Sequence, residues 1–260
     1  METDVILPET EEATVESDVS SDLRLILENR QALPERIEFT DGPFEVSQLD
    51  YSNSEMKRKI HQLRTAVFAD ELGWVTPEQE MKSDDYDETA IHIGLFHKDR
   101  LGELAGYVRL ITPTANGKGF MLDGPFKEMV PNEAECEWHD DPNNSFEVTR
   151  IAVEKDLRQS SEGNKAAMCL YKAAYHFSIA TGRDEWYIVT TRGLLKLLQR
   201  YGFPFKQIGV EHKFHAKDKI NVASTMSSEE AKTNMTDKNP KLLAWFLEGC
   251  PQPPLKSSEK

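Results

Sequence analysis

Cysteine is scarce. The three in this 260-residue chain, Cys136, Cys169 and Cys250, are far apart and odd in number. They match neither a disulfide framework nor a zinc pattern, so they read as buried or incidental thiols in a reducing, cytoplasmic setting. No run of eighteen apolar residues occurs, which excludes a helical membrane span. The opening METDVILPETEEATVESD lacks the basic stretch and apolar run of a secretory leader. Positive charge is in deficit, with 31 Lys and Arg against 45 Asp and Glu, a formal net charge of −14. That balance argues against a nucleic-acid partner. No internal repeat is visible.

The acidity is unevenly placed. Residues 1–50 carry fourteen Asp and Glu against Arg24, Arg30 and Arg36. Residues 150–220 carry thirteen Lys and Arg against seven Asp and Glu. The first 35 residues, rich in Glu, Ser and Thr, read as an acidic, disordered extension. The later basic stretch is either an ordinary solvated surface or a face for an acidic protein.

From residue 36 the pattern is that of alternating strands and helices. RIEFTDGPFEVSQLD carries an Asp-Gly turn signal and predicts a strand or hairpin. Met56, Ile60, Leu63, Val67 and Phe68 recur at helical spacing, with N-cap side chains available at 52–54. Residues 75–89 read as a polar loop. AIHIGLF, LAGYVRLI, FEVTRIAVE and EWYIVTT predict strands. Residues 165–181 predict a helix closed by Gly182, and GLLKLLQRYG a second closed by Gly202. FKQIGVEH predicts a last strand, and LLAWFLEG a helix within a tail over 224–260 that ends Pro-rich. The order implies an α/β fold, a mixed sheet flanked by helices, over residues 36–223.

Two polar features interrupt these apolar elements. Asp84, Asp85 and Asp87 flank Tyr86, and three carboxylates so close need cations or solvent. A solvated acidic turn would suffice, whereas the spacing lacks the glycine and distal Glu of an EF-hand. In FEVTR, strand alternation puts Glu147 with Thr149 and Arg150 with Phe146 and Val148. Arg109 lies inside GYVRLI and Arg64 on the apolar face of the first helix. Each alone fits an edge strand or surface. Together, four ionic groups in core elements point to a buried electrostatic network and a site.

These residues, taken in order, resemble the acyl-homoserine-lactone (autoinducer) synthases. LRTAVFADELGW supplies Arg64, Phe68 and Trp74; SDDYD supplies Asp84 and Asp87; GYVRL supplies Arg109. MLDGPF supplies Phe126, FEVTR supplies Glu147 and Arg150, and RYGFPFKQIG resembles the segment after the last core helix. The resemblance runs from about residue 45 to 212. It implies a GNAT-like three-layer sandwich, with a twisted mixed sheet and a cleft where two central strands splay apart. It implies transfer of an acyl chain from acyl carrier protein or acyl-CoA to the amine of S-adenosylmethionine, with lactonisation, for quorum-sensing signal production. No cofactor and no metal are implied: S-adenosylmethionine is a substrate, and the donor carries phosphopantetheine.

On that resemblance, Glu147, Arg150, Asp84, Asp87 and Arg109 are the catalytic candidates, with Glu147 first as general base. Backbone N–H groups at a strand bulge would hold the oxyanion. Arg64, Phe68, Trp74, Phe126 and Phe146 are the substrate-binding candidates, the last two with Met121 and Leu122 along an acyl tunnel. Lys155, Arg158, Lys165 and Arg192 are candidates for docking the carrier protein. The chain departs from the family's pattern at Lys82, where an acidic residue is common two positions before the first Asp. RQSSEGN is only a degenerate pyrophosphate loop, which favours a carrier-protein donor. An N-acyltransferase for another amine, such as an amino acid, or a non-catalytic acyl-binding module are the alternatives.

Overall fold

The computed structural model describes residues 36–113, 119–132, 137–214 and 219–253. The acidic extension over 1–35, and Cys136, lie outside the described residues. The described chain builds one eight-stranded sheet in the order β1-β2-β3-β4-β5-β6-β8-β7. β1 (Glu38–Asp41) and β2 (Phe44–Leu49) form a hairpin. It turns at Gly42, whose φ of 58° suits a residue without Cβ. β3 (Ile91–His97), β4 (Leu104–Ile111) and β5 (Ser145–Val153) extend it antiparallel. β6 (Glu185–Thr191) joins β5 in parallel, and β8 (Asn221–Ser227) and β7 (Lys206–His212) close the sheet antiparallel.

The parallel seam is short. β5 and β6 pair only from Ser145 to Val148 and from Glu185 to Ile188. Among the described residues, no pairing joins Thr149–Val153 to Val189–Thr191. The two strands therefore splay, as the resemblance implied.

Helices cover one face in full. The crossover between β5 and β6 runs through α3 (Lys155–Gln159) and α4 (Gly163–Thr181). Ala166, Leu170, Ala173, Ala174 and Phe177 of α4 are buried in the main core, as their spacing predicted. α4 ends at left-handed Gly182 and α5 (Arg192–Tyr201) at left-handed Gly202. On the opposite face, α1 (Ser54–Arg64), capped by the Asn53 side chain, runs into a π-helical stretch over Thr65–Glu71. Ile60, Leu63, Val67 and Phe68 pack there on Tyr107 and Ala152. The loop expected over 75–89 contains a short helix, α2 (Pro77–Glu80), begun by a Thr76 capping box. Two 3-10 turns, Met121–Asp123 and Lys127–Met129, cover the other half of this face.

The expected boundary at residue 223 falls inside β8 and is corrected by the structure. NVASTMS has only Val222 and Met226 as larger apolar side chains, so it gives little strand signal, yet it lies between β6 and β7. α6 (Ser228–Lys238) begins at a Ser227 cap, and α7 (Pro240–Leu247) follows. Both bury side chains in the main core: Ala231, Met235 and Phe246. Phe246 lies edge-on to Tyr175 and Phe203 at centroid distances of 5.6 and 5.5 Å. The Trp245 indole N–H donates to Asp41, which ties α7 to the hairpin. Residues 224–253 thus belong to the folded domain. Phe246→Ala is expected to cost about 3–5 kcal/mol in urea unfolding; an unchanged midpoint would mean that α7 is a detached tail after all.

Candidate active site

The site lies on the second face, between the α1 cluster and the segment 120–138. Its placement follows from strand register. Ile111 of β4, Glu147 of β5 and Tyr187 of β6 stand directly opposite one another and share a face, and so do Arg109 and Thr149. Tyr107 pairs with Ala152, but Arg109 pairs with Thr149, so two β5 residues, Arg150 and Ile151, oppose Val108 alone. This is a β-bulge, and Arg150 adopts φ 53° within it, a left-handed conformation that a non-glycine residue rarely takes.

The bulge overturns the simple alternation. Arg150 was expected beside Phe146 and Val148; instead its guanidinium turns to the Glu147 face. There Nη2 lies 3.5 Å from Glu80 and 3.9 Å from Asp84, and the group sits over the Phe68 ring. Phe146 keeps to the opposite face, packed on Phe177 and Trp186 in the main core, so it does not line this site.

Three arginines and three carboxylates interlock. Arg64 Nε donates to Glu80 and Nη1 to Asp87 at 2.8 Å. Arg109 Nη1 donates to Asp87 and, at 2.7 Å, to Asp84; its Nε donates to Thr149 Oγ1 at 3.0 Å. Asp87 also accepts the Asp84 backbone N–H. Burial by itself would raise the Asp87 carboxyl, but Arg109 and Arg64 overcome it and hold the group well below the usual carboxylate range. Arg64, with every described partner a carboxylate and only 1% of its side chain exposed, orients those carboxylates rather than lining the cleft.

Glu80 carries as much of the network as the two aspartates, and sequence reasoning missed it. Family spacing points to position 82, where this chain has Lys82. The structure brings a carboxylate from Glu80, two residues earlier, at the end of α2. Two histidines pin the backbone behind the cluster. His61 Nδ1 lies 2.6 Å from the Glu80 carbonyl, and His92 Nε2 lies 2.7 Å from that of Asp87. A carbonyl only accepts, so these nitrogens carry the protons. The other ring nitrogens then accept from the Tyr51 and Tyr107 hydroxyls. Burial lowers the His92 pKa to about 4, so the His92 ring is neutral at neutral pH.

Glu147 stands apart from the ion pairs. Pairing with arginine was expected to tune it; among the described residues none lies within ion-pair distance. Its Oε2 accepts the Met121 N–H at 2.7 Å, and its Oε1 has no hydrogen-bond partner. Burial pushes its carboxyl up to about 8, against the pull of that hydrogen bond and of Arg109. Arg150 Nε and Asp84 Oδ2 are also buried without hydrogen-bond partners. An unsatisfied buried polar atom costs about 1–3 kcal/mol, and a bound polar ligand removes that cost. Phe68 stacks on half-buried Trp74 beneath Arg150, and half-buried Phe126 packs with Met121 and Leu122 at the other end.

The four docking candidates do not share one patch. Lys165 pairs with Asp41 of β1 at 2.7 Å, and Arg192 pairs with Glu211 of β7. β1 and β7 are opposite edges of the sheet, seven strand spacings apart, or roughly 33 Å. Arg158 pairs with Glu71, while Lys155 is exposed at the start of α3. No group of three or more His, Cys, Asp or Glu among the described residues is placed to hold a metal ion.

The charges have measurable consequences. Arg64→Ala leaves Glu80 and Asp87 buried with one partner fewer, and is expected to destabilise the protein by about 3–5 kcal/mol; denaturant unfolding checks this. Glu147 has a raised folded-state pKa, so between pH 4.5 and about 8 the folded state binds more protons than the unfolded. It therefore subtracts stability as pH rises through that window. Glu147→Gln should flatten the fall in melting temperature over this range, and parallel wild-type and variant curves would contradict the assignment.

Comparison with known proteins agrees with this geometry. An autoinducer synthase family model matches residues 47–235. An acyl-homoserine-lactone synthase of Vibrio anguillarum is 27% identical over 177 residues, covering 65% of this chain and 81% of that protein. The crystal structure of the AHL synthase LasI superposes with a TM-score of 0.56 at 20% identity, covering 71% of this chain and 89% of LasI. FeeM, an N-acyl amino acid synthase from uncultured soil microbes, superposes with a TM-score of 0.54 at 16% identity, covering 74% and 93%. The structural likenesses establish the fold, a mixed sheet flanked by helices that is shared with LasI and FeeM, and the match over residues 47–235 establishes that the chain belongs to the autoinducer synthase family.

Proposed function

We propose that this chain is an acyl-homoserine-lactone synthase that moves an acyl chain from acyl carrier protein to the amine of S-adenosylmethionine. The observation that carries the reading is Glu147: a fully buried carboxyl with one oxygen unpartnered, outside the ion-pair cluster and next to splayed strands. An ammonium is not a nucleophile. A carboxyl raised to about 8 matches an amine's basicity far better than an ordinary glutamate does, and its ionised fraction, which grows as pH rises toward 8, takes the amine proton.

The steps balance with groups already present. Glu147 accepts the proton, directly or through one water, and the amine nitrogen attacks the thioester carbonyl. The oxyanion meets backbone N–H groups at the Arg150 bulge and the unpaired Arg150 Nε–H. Collapse expels the thiolate, which takes the proton held on Glu147; the carboxylate so freed accepts the remaining excess proton of the nitrogen, leaving the neutral amide, and then releases it to solvent. The methionine carboxylate then attacks the carbon bearing the sulfonium: a C–O bond forms, the C–S bond breaks, and methylthioadenosine leaves with the electron pair. Asp84, with one oxygen that accepts no hydrogen bond, is the carboxylate assigned to the cationic substrate. Phe68 and Trp74 supply the aromatic wall against which a sulfonium is favoured.

For the carrier protein, the exposed face of α5 offers both charge and apolar surface. Lys196 and Arg200 are exposed there beside Leu194 and Leu197, with Arg192 at the helix start. An acidic partner fits such a face.

Mass spectrometry of organic extracts from expressing cells tests the reading. Wild-type extracts are expected to contain the homoserine-lactone fragment ion, and Glu147→Gln should lower the product by roughly 10²–10⁴-fold while the protein stays folded. An acylated amino acid with a free carboxylate and no lactone would instead establish the alternative N-acyltransferase reaction. Full activity in Glu147→Gln would remove Glu147 from catalysis.

A further inference from the structure

Among the described residues Glu147 has one hydrogen-bond donor, the Met121 backbone N–H at 2.7 Å. Met121 begins a 3-10 turn, Met121–Asp123, that lies between Phe120 and Gly124. Its sulfur accepts from Arg109 Nη2 at 3.1 Å, and the Phe120 N–H donates to Asp123 Oδ2 at 2.6 Å. Where this turn sits over the sheet therefore decides whether the Glu147 carboxylate keeps its donor.

Tyr86 reaches the turn from the acidic loop. Asp84 and Asp87, on either side of it, are engaged by arginines, and Asp84 Oδ1 accepts the Tyr86 backbone N–H at 3.0 Å. The Tyr86 side chain, 8% exposed, joins the apolar cluster of Phe120, Met121 and Leu122 instead. Its hydroxyl donates to the Phe120 carbonyl at 3.3 Å. At the other end of the turn, a Cβ added to Gly124 would lie 2.5 Å from the same hydroxyl. The hydroxyl thus occupies the room a side chain at 124 would need, and it borders the turn at both ends with Met121 between them. Phenylalanine would fill the apolar part of this place equally well. A buried hydroxyl needs a partner to offset its desolvation, and here the partner is the turn that carries the donor to Glu147.

We infer that Tyr86 is a positioning residue for the proton transfer: its hydroxyl fixes the 120–124 turn so that the Met121 N–H stays on Glu147. The inference rests on the reading above, in which Glu147 takes the amine proton. It adds a physical link from the acidic loop assigned to the cationic substrate to the carboxylate that deprotonates it. The charges facing Glu147 are Arg109 from β4 and Arg150 from β5, which favour its ionised form, and Asp123 from the turn, which opposes it. Tyr86 stays neutral, since burial raises its pKa, and Tyr187 stands opposite on β6. Tyr86→Phe alters none of these charges. It loosens the hydrogen bond that favours the carboxylate, so Glu147 should ionise at higher pH.

The test uses purified full-length wild type, Tyr86→Phe, Glu147→Gln and the double variant. Each receives S-adenosylmethionine and acyl-loaded acyl carrier protein between about pH 6 and 9. Tyr86→Phe is expected to lower kcat roughly 3- to 10-fold, with KM for S-adenosylmethionine changed by about twofold at most. The acidic limb of its kcat/KM profile should move up by about half a pH unit or more. Without any substrate, the fall in melting temperature caused by Glu147 should run on to higher pH in Tyr86→Phe than in wild type. In the Glu147→Gln background the same change should cost little further activity, because the group it acts through is already gone. An acidic limb and a melting profile that both stay put, or an equal loss of kcat in the Glu147→Gln background, overturns the inference and leaves the reaction assignment intact. Full activity in Glu147→Gln alone, or no lactone from wild type, sinks the reaction assignment and the inference with it, and that failure shows before Tyr86 is changed.

Discussion

The buried ion-pair cluster around Asp87 is the constraint to which the rest of this face answers. Two guanidinium groups, from Arg64 and Arg109, reach the same Asp87 oxygen, and neither arginine has water to fall back on. Such groups remain charged only because each is matched, and each match fixes a different piece of chain: α1, α2, the acidic turn and β4. The hydrophobic core on the opposite face holds the sheet flat against α4. It says nothing about where the acidic turn must lie. That position is set by charge, and with it the floor of the cleft.

The same cluster explains why Glu147 can be so different from its neighbours. Glu80, Asp84 and Asp87 absorb the arginines, so the fourth carboxylate is left without an ion pair in an apolar setting. One sheet face thus carries carboxylates with opposite tendencies some strands apart. Asp87 is kept ionised by its partners, and Glu147 is kept near the protonation range of an amine by their absence.

Much of this was legible in the chain. β3 to β6 follow their apolar runs nearly residue for residue, and α4 and α5 end at the glycines that can adopt the left-handed cap. Arg64, Arg109 and Glu147 were visible because ionic residues inside apolar periodicity need a reason, and Asp84 and Asp87 because three carboxylates crowd one short loop. Arg150 was named correctly but aimed wrongly, because a bulge is a property of two strands and leaves no mark on one. Glu80 was missed because its role depends on a helix of only one turn. β8 was missed because its Ser, Thr and Ala side chains are buried by neighbours, not by their own hydrophobicity. Phe146 keeps the face that alternation gave it, opposite Glu147, and packs there in the main core.

The four-residue parallel seam between β5 and β6 has a mechanical side. It joins two antiparallel halves, β1 to β5 and β6 to β7, each laced by strands paired over most of their length. Resistance to bending across a sheet grows with the number of hydrogen bonds that must be strained, and away from the two edge strands the seam, with four registered pairs, is the shortest junction. The joint that bends most readily inside the sheet therefore lies at the opening beside Glu147. A greasy product held between two stiff plates can be let go by flexing that joint, without any separate lid.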